Sequence, residues 1–213
     1  TDASRLQVGG PTEPDQYWIP LGGNKTPVDP KIKPQSTDEI VGGAEYEIFT
    51  DGRLGLIYTK RWMNRVIEDM SRDEATTYFI GNPGHGIASD FPKVVRDYDS
   101  VQAFLDKRFG DNWLLHTSYT ASWLRGNYAG LFRPETGQLD PNINSDFDLI
   151  SLLDNRTGYL PGDTRHAFKL FGAYFVPLKN GHGVQLAGAF RANSGGPTNY
   201  YGSHYLYGSD EVF

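Results

Sequence analysis

Apolar and polar residues alternate along this chain in paired segments. In residues 41–49, Ala44, Tyr46 and Ile48 fall on one side, and Glu45 and Glu47 on the other. Residues 50–52 form a turn. The period of two then resumes over residues 53–62, with Leu54, Leu56, Tyr58 and Trp62 facing away from Arg53, Gly55, Thr59 and Arg61. Two period-two segments joined by Asp-Gly predict a hairpin, because Gly supplies the positive φ of a tight turn. A second pair, residues 98–109 and 113–123, surrounds Gly110, Asp111 and Asn112. It aligns Val101, Ala103, Leu105 and Phe109 with Trp113, Leu115, Tyr119, Ala121 and Trp123. A third, residues 166–176 and 184–191, flanks a turn over 178–183 and aligns Phe168, Leu170, Tyr174 and Val176 with Val184, Leu186 and Phe190.

Between the pairs the alternation is lost. Residues 1–40 carry Pro11, Pro14, Pro20, Pro27, Pro30 and Pro34, and proline removes the backbone donors that a helix or central strand needs. They read as one long extracellular loop, and residues 41–213 as the strands and loops of a single partial barrel domain. Further long loops cover 64–95, with a short strand at 76–80, and roughly 125–163; the chain closes on a Gly- and Tyr-rich loop. Short and long connections therefore alternate strictly. Transmembrane barrels sort their connections this way, while loops beyond ~12–15 residues are uncommon in compact domains. The expected fold is all-β: an antiparallel transmembrane β-barrel segment of about six strands in three hairpins, with short periplasmic turns and long extracellular loops. Trp62, Trp113, Trp123, Phe109 and Tyr174 lie near strand ends, where an interfacial girdle sits. Lys169 and Arg191 fall mid-strand on the polar face, where lipid would penalise them by a few kcal/mol. Six strands alone leave two edges unpaired in lipid and fall short of the ~8 of the smallest barrels, so the chain reads as part of a larger barrel.

Composition sharpens this picture by exclusion. Aromatic residues make up 14% and hydrophobic ones 38%, which suits walls that meet lipid at only every second position. The net charge of −6 offers no basic excess for nucleic acid. With no cysteine, disulfides, thiolate metal sites and a cysteine nucleophile are excluded. No run of ~18 apolar residues predicts a transmembrane helix, and the start at Thr1 has no apolar leader, so an export address is expected outside these residues.

Candidate chemistry is sparse. Asp140, Asn142, Asn144 and Asp146 place oxygen ligands at alternate positions, as a calcium loop does. Ser145 stands where that motif wants Gly, and the late Glu is missing, so a polar loop competes with a cation site. His85, His116, His166, His182 and His204 have no clustered spacing. The Gly-rich stretch 81–86 reads as turn chemistry, since no strand-to-helix junction surrounds it. Tyr200, Tyr201, Tyr205 and Tyr207, interleaved with Gly202 and Gly208, form the candidate ligand-binding surface, because Tyr and Gly suit adaptable recognition loops. No catalytic constellation is visible, so a non-enzyme without cofactor is expected.

Certain phrases are also familiar. Residues 28–40, with Pro30, Ile32, Lys33, Pro34 and Gln35, lead into 43–48 and resemble a phrase of TonB-dependent receptors that ends an extracellular loop and enters a descending strand. Ile32 stands for the family's Leu, and Gln35 for its Glu. Residues 103–123, 162–172 and 190–197 look similar to barrel strands of the same family, and their order resembles its Oar-like branch. The resemblance implies location in the bacterial outer membrane, with lipid, an extracellular ligand and the TonB complex as partners. TonB would act through a plug and TonB box that these residues lack. Two other readings compete: a soluble β-rich carbohydrate-binding module using the Tyr-rich loop, and a passive porin-like pore.

Overall fold

The computed structural model describes residues 26–74, 76–130, 147, 150–153, 156–198, 200–204 and 208–212. Eleven strands are present among them: β1 (Ser36–Phe49), β2 (Gly52–Arg65), β3 (Glu68–Met70), β4 (Phe79–Gly81), β5 (Arg96–Gly110), β6 (Trp113–Gly126), β7 (Gly158–Tyr159), β8 (His166–Pro177), β9 (Gly183–Asn193), β10 (Tyr201–His204) and β11 (Gly208–Val212). The six long strands form one antiparallel meander in the order β1-β2-β5-β6-β8-β9, and β7 adds to β6. All three expected hairpins are present. Strand β1 starts at Ser36, earlier than the alternation suggested, and the Gly/Tyr-rich end holds a small hairpin of β10 and β11.

Turn chemistry fixes the hairpins. Asp111 and Asn112 both take positive φ, 48° and 66°, as a two-residue turn matched to strand twist requires. Asp51 does so at 60°, and Asn180 and Gly181 at 64° and 76° in the third turn. The tight turns all lie along one edge of the sheet and the long connections along the other.

Register carries the alternation across all six strands. Tyr46, Leu54, Leu105, Thr117, Leu170 and Phe190 are consecutive partners and form one row on the apolar face. The neighbouring row, Glu47, Arg53, Asp106, His116, Phe171 and Ala189, lies on the polar face. The apolar face is not covered: Tyr46 is 76% exposed, Leu186 61% and Phe190 58%.

Phe104 packs where a Cβ on its cross-strand partner Gly55 would lie, only 2.2 Å from the ring, so a bare backbone makes room for the aromatic.

Burial is concentrated at the loop edge. Within the stretch 64–95, read from the sequence as a long loop with a short strand at 76–80, Val66, Met70, Phe79, Ala88 and Phe91 build a cap and pack with Tyr128 and Phe147. The short pair β3–β4 frames it. The reason it escapes a periodicity reading is physical: its apolar side chains converge through turns, so their spacing follows neither period.

Candidate functional site

Hairpin geometry assembles a charged ladder on the polar face, close to the tight turns. Folding back about the 110–113 turn sets Asp106 opposite His116, and the β2–β5 register sets Arg53 opposite Asp106. Arg53 Nη1 lies 3.0 Å from Glu45 Oε2, and Nη2 lies 3.2 Å from Asp106 Oδ2. His116 Nδ1 meets Asp106 Oδ1 at 2.8 Å, while its ring stacks on Phe171 at 6.3 Å. Arg53 also sits over Phe104, 5.8 Å from the ring centroid. A recess of about 370 Å³ opens over Glu45, Glu47, Arg53, Asp106, Arg108 and His116. These pairs are half-exposed, and such pairs contribute only about 0.2–1 kcal/mol each. What they provide is a hydrated, hydrogen-bonding wall of mixed charge.

The apolar face has polar boundaries at both ends. Toward the loop edge, Asp99 accepts hydrogen bonds from Tyr58 Oη at 2.7 Å and from Lys60 Nζ at 3.1 Å. Toward the turn edge, Lys107 is buried. It curls back so that Nζ donates to the Arg108 carbonyl at 3.1 Å, against the Trp113 ring at 5.2 Å. A long cationic side chain directing its charge to an edge while its stem covers apolar surface is snorkelling.

At the loop edge, two buried polar side chains stitch residues 27–33 to the cap. Asp29 accepts from the Lys31 and Ile87 amides at 2.8 and 3.1 Å. Gly86 has φ +55°, and a Cβ there would lie 1.8 Å from Asp29 Oδ2. The Asn82 amide donates to the carbonyls of Lys33 at 2.9 Å and Val66 at 2.6 Å, and its oxygen accepts from the Lys33 amide at 2.8 Å. Arg72 lies over Phe79, 4.3 Å from the ring centroid, and bonds Asp90 at 2.5 Å. That bond holds the Asp90 carboxyl below its ordinary pKa. Bonds from the Thr77 amide and hydroxyl, then from Ser71, do the same for Asp73. Burial, followed by the charges of Arg65, Lys93 and Lys33, lowers the pKa of His85.

The tyrosines proposed as a binding surface are only partly placed. Tyr200 is 84% exposed, Tyr201 opens β10, and Tyr205 and Tyr207 lie outside the described residues. Asp140, Asn142, Asn144 and Asp146 also lie outside them. Among the described residues no group of three or more His, Cys, Asp or Glu side chains is arranged to hold a metal. The sequence reading set His116 aside with the other histidines and gave Asn82 no role of its own. Counting outward from Gly110 and Trp113 would have set His116 against Lys107; the irregularity between Lys107 and Gly110 moves it to Asp106. Nothing local marks Asn82, because its partners are 49 and 16 residues away.

No family model and no solved structure matches the chain. Over 193 residues, 91% of its length, it is 58% identical to the TonB-dependent transporter Oar of Myxococcus xanthus. The chain spans 18% of that protein, within its C-terminal part.

Proposed function

Since the chain belongs by sequence with the Oar-like TonB-dependent transporters, as a C-terminal part of one, we propose that its six long strands are adjacent staves of an outer-membrane barrel. The apolar face meets lipid and the charged ladder lines the lumen. The tight turns lie at the periplasm, and the cap and long loops outside, where they bind the ligand. Energy from the TonB complex enters through parts of the transporter beyond these residues.

The observation that carries this reading is the height of the apolar face. Lys60 pairs with Asp99 at its upper boundary, and Gly52 pairs with Lys107 at its lower one. The eight residue steps from Lys60 to Gly52 along β2 cover about 27 Å at ~3.4 Å per residue. A strand tilt of ~40° turns this into about 21 Å along the membrane normal, close to the ~25 Å apolar band of outer-membrane barrels. Trp62 and Trp123 flank the upper boundary, and Trp113 and Tyr174 the lower, as a girdle requires.

Cysteine labelling tests the assignment of faces, because the chain has no cysteine of its own. Single cysteines at Leu105 and Leu170, in the full-length transporter in outer membranes, are expected to resist a water-soluble maleimide and react with a lipid-soluble one. Cysteines at Gln102 and Ser118 are expected to react with the water-soluble reagent once the lumen is open to solvent. Aqueous labelling at Leu105 and Leu170 would overturn the membrane reading in favour of a soluble β-rich module.

A further inference from the structure

Charge on the polar face is distributed unevenly. On β2 two cations reach carboxylates of the neighbouring strands: Arg61 bonds Glu39 on β1, and Arg53 bonds Glu45 on β1 and Asp106 on β5. On β8 and β9 this stops. Lys169 and Arg191 are direct partners across these strands, and Ser118 is the partner of Lys169 on β6. The polar-face positions one register step from Lys169 are His116, Ser118 and Thr120 on β6, and Ala189 and Asn193 on β9. None is acidic. Among the described residues no carboxylate pairs with Lys169 or Arg191. Arg191 has a neutral partner, the Asn193 amide, whose oxygen lies 3.2 Å from Nη2 and 3.3 Å from Nε when the amide is oriented to suit both.

Like charges directly opposite each other in an antiparallel pair repel. Here they stand beside a recess of about 300 Å³ to which Tyr98, Ser118, Thr120 and Asn193 add hydroxyl and amide groups. That volume is at the small end for a small-molecule site. A planar guanidinium, an ammonium and neutral hydroxyl donors converging on one space form the donor set that an oxyanion accepts from.

We propose that the Lys169–Arg191 recess is an anion-binding station that takes the carboxylate or phosphate group of a small solute. As a station along the transport path it rests on the assignment of this face to the lumen; as a binding site it rests only on the charges and the recess.

The test uses the full-length transporter in detergent at low ionic strength, titrated calorimetrically with inorganic phosphate and with citrate. Saturable binding of either anion is expected. It is expected to weaken at least ~tenfold in the double variant Lys169→Gln/Arg191→Gln, the loss expected when charged donors are removed from a paired site. Lys179→Gln, which removes an exposed cation in the third turn, is expected to leave the affinity within about twofold, since it touches no part of the recess. Absence of saturable binding of both anions, or equal affinity in the double variant, would overturn the proposal. The thermal midpoint in anion-free buffer provides a second readout. The double variant is expected to melt no lower than the parent, because a repulsion has been removed. A lower midpoint would mean that a carboxylate of the protein itself occupies the pair, and the proposal would fall. The titration reads charge and recess, whereas cysteine labelling reads which face meets lipid, so the two ideas fail separately.

Discussion

At the scale of single residues, a buried neutral amide is closely tied to the backbone around it. Asn82 is buried, and all three of its hydrogen bonds go to backbone groups, of Lys33 and Val66. Its replacement by Ala leaves those groups without their partner, at a cost on the order of 1–3 kcal/mol. The expected outcome for Asn82→Ala is faster hydrogen exchange at Lys33 and over residues 79–91 in the full-length protein, with exchange at the centre of β5 unchanged. Equal exchange in parent and variant would remove Asn82 from this role. Asp29 and Gly86 form a similar lock at a smaller site, where the carboxylate occupies the space that only a glycine leaves open.

Among the elements, the long strands and the cap differ in how they are held. The strands are specified by alternation and turns, whereas the cap rests on a small apolar cluster with charged groups around it, so acid affects the cap in stages. His85 has a lowered pKa, so the folded cap disfavours its proton, and the unfolded segment binds more protons. Stability from this group is therefore lost as pH falls below the ordinary histidine value of ~6.5. The carboxyls of Asp73 and Asp90 are also lowered, so the stability they contribute is lost only at more acidic pH, below the ordinary aspartate value of ~3.9. Between pH 7 and 5, exchange over residues 79–91, corrected for its intrinsic pH dependence, is expected to quicken in the parent and to stay flat in His85→Gln.

The same contrast explains how much of the molecule could be read in advance. The three hairpins were legible because a period of two and the residues 51–52 and 110–112 are local signals. The cap was not, because Phe79, Phe91, Tyr128 and Phe147 meet only through tertiary packing. The candidate site was legible by half. Glu45 and Arg53 were placed on the polar face from sequence, but pairing Asp106 with His116 needed the register, and the Lys169–Arg191 opposition needed two strands aligned.

For the whole molecule, the sheet separates two environments, and substitutions across it are expected to behave unequally. Ala103 sits mid-band on the apolar face, four positions from both Asp99 and Lys107, and Gln102 sits on the polar face. Arginine on the lipid face costs about 2–4 kcal/mol at the bilayer midplane, while lumen positions tolerate it. Ala103→Arg is therefore expected to reduce the fraction of full-length transporter recovered as heat-modifiable barrel, and Gln102→Arg to leave it near the parent level. Equal recovery would contradict the assignment of faces. The Asn82 amide also bears on a separate problem, the choice among sliding alignments of β1 on β2. Moving β1 by one residue inverts every side chain and is strongly disfavoured, but moving it by two restores both faces and leaves the alternation satisfied. Such a slip shifts the strands by about 7 Å. The Asn82 amide spans Lys33, three residues before β1, and Val66, directly after β2. It cannot hold both once they have moved that far apart. A single buried side chain thus pins the open end of the first hairpin, adding to the turn at its closed end a second hold against the two-residue slip that hydrophobic patterning leaves open.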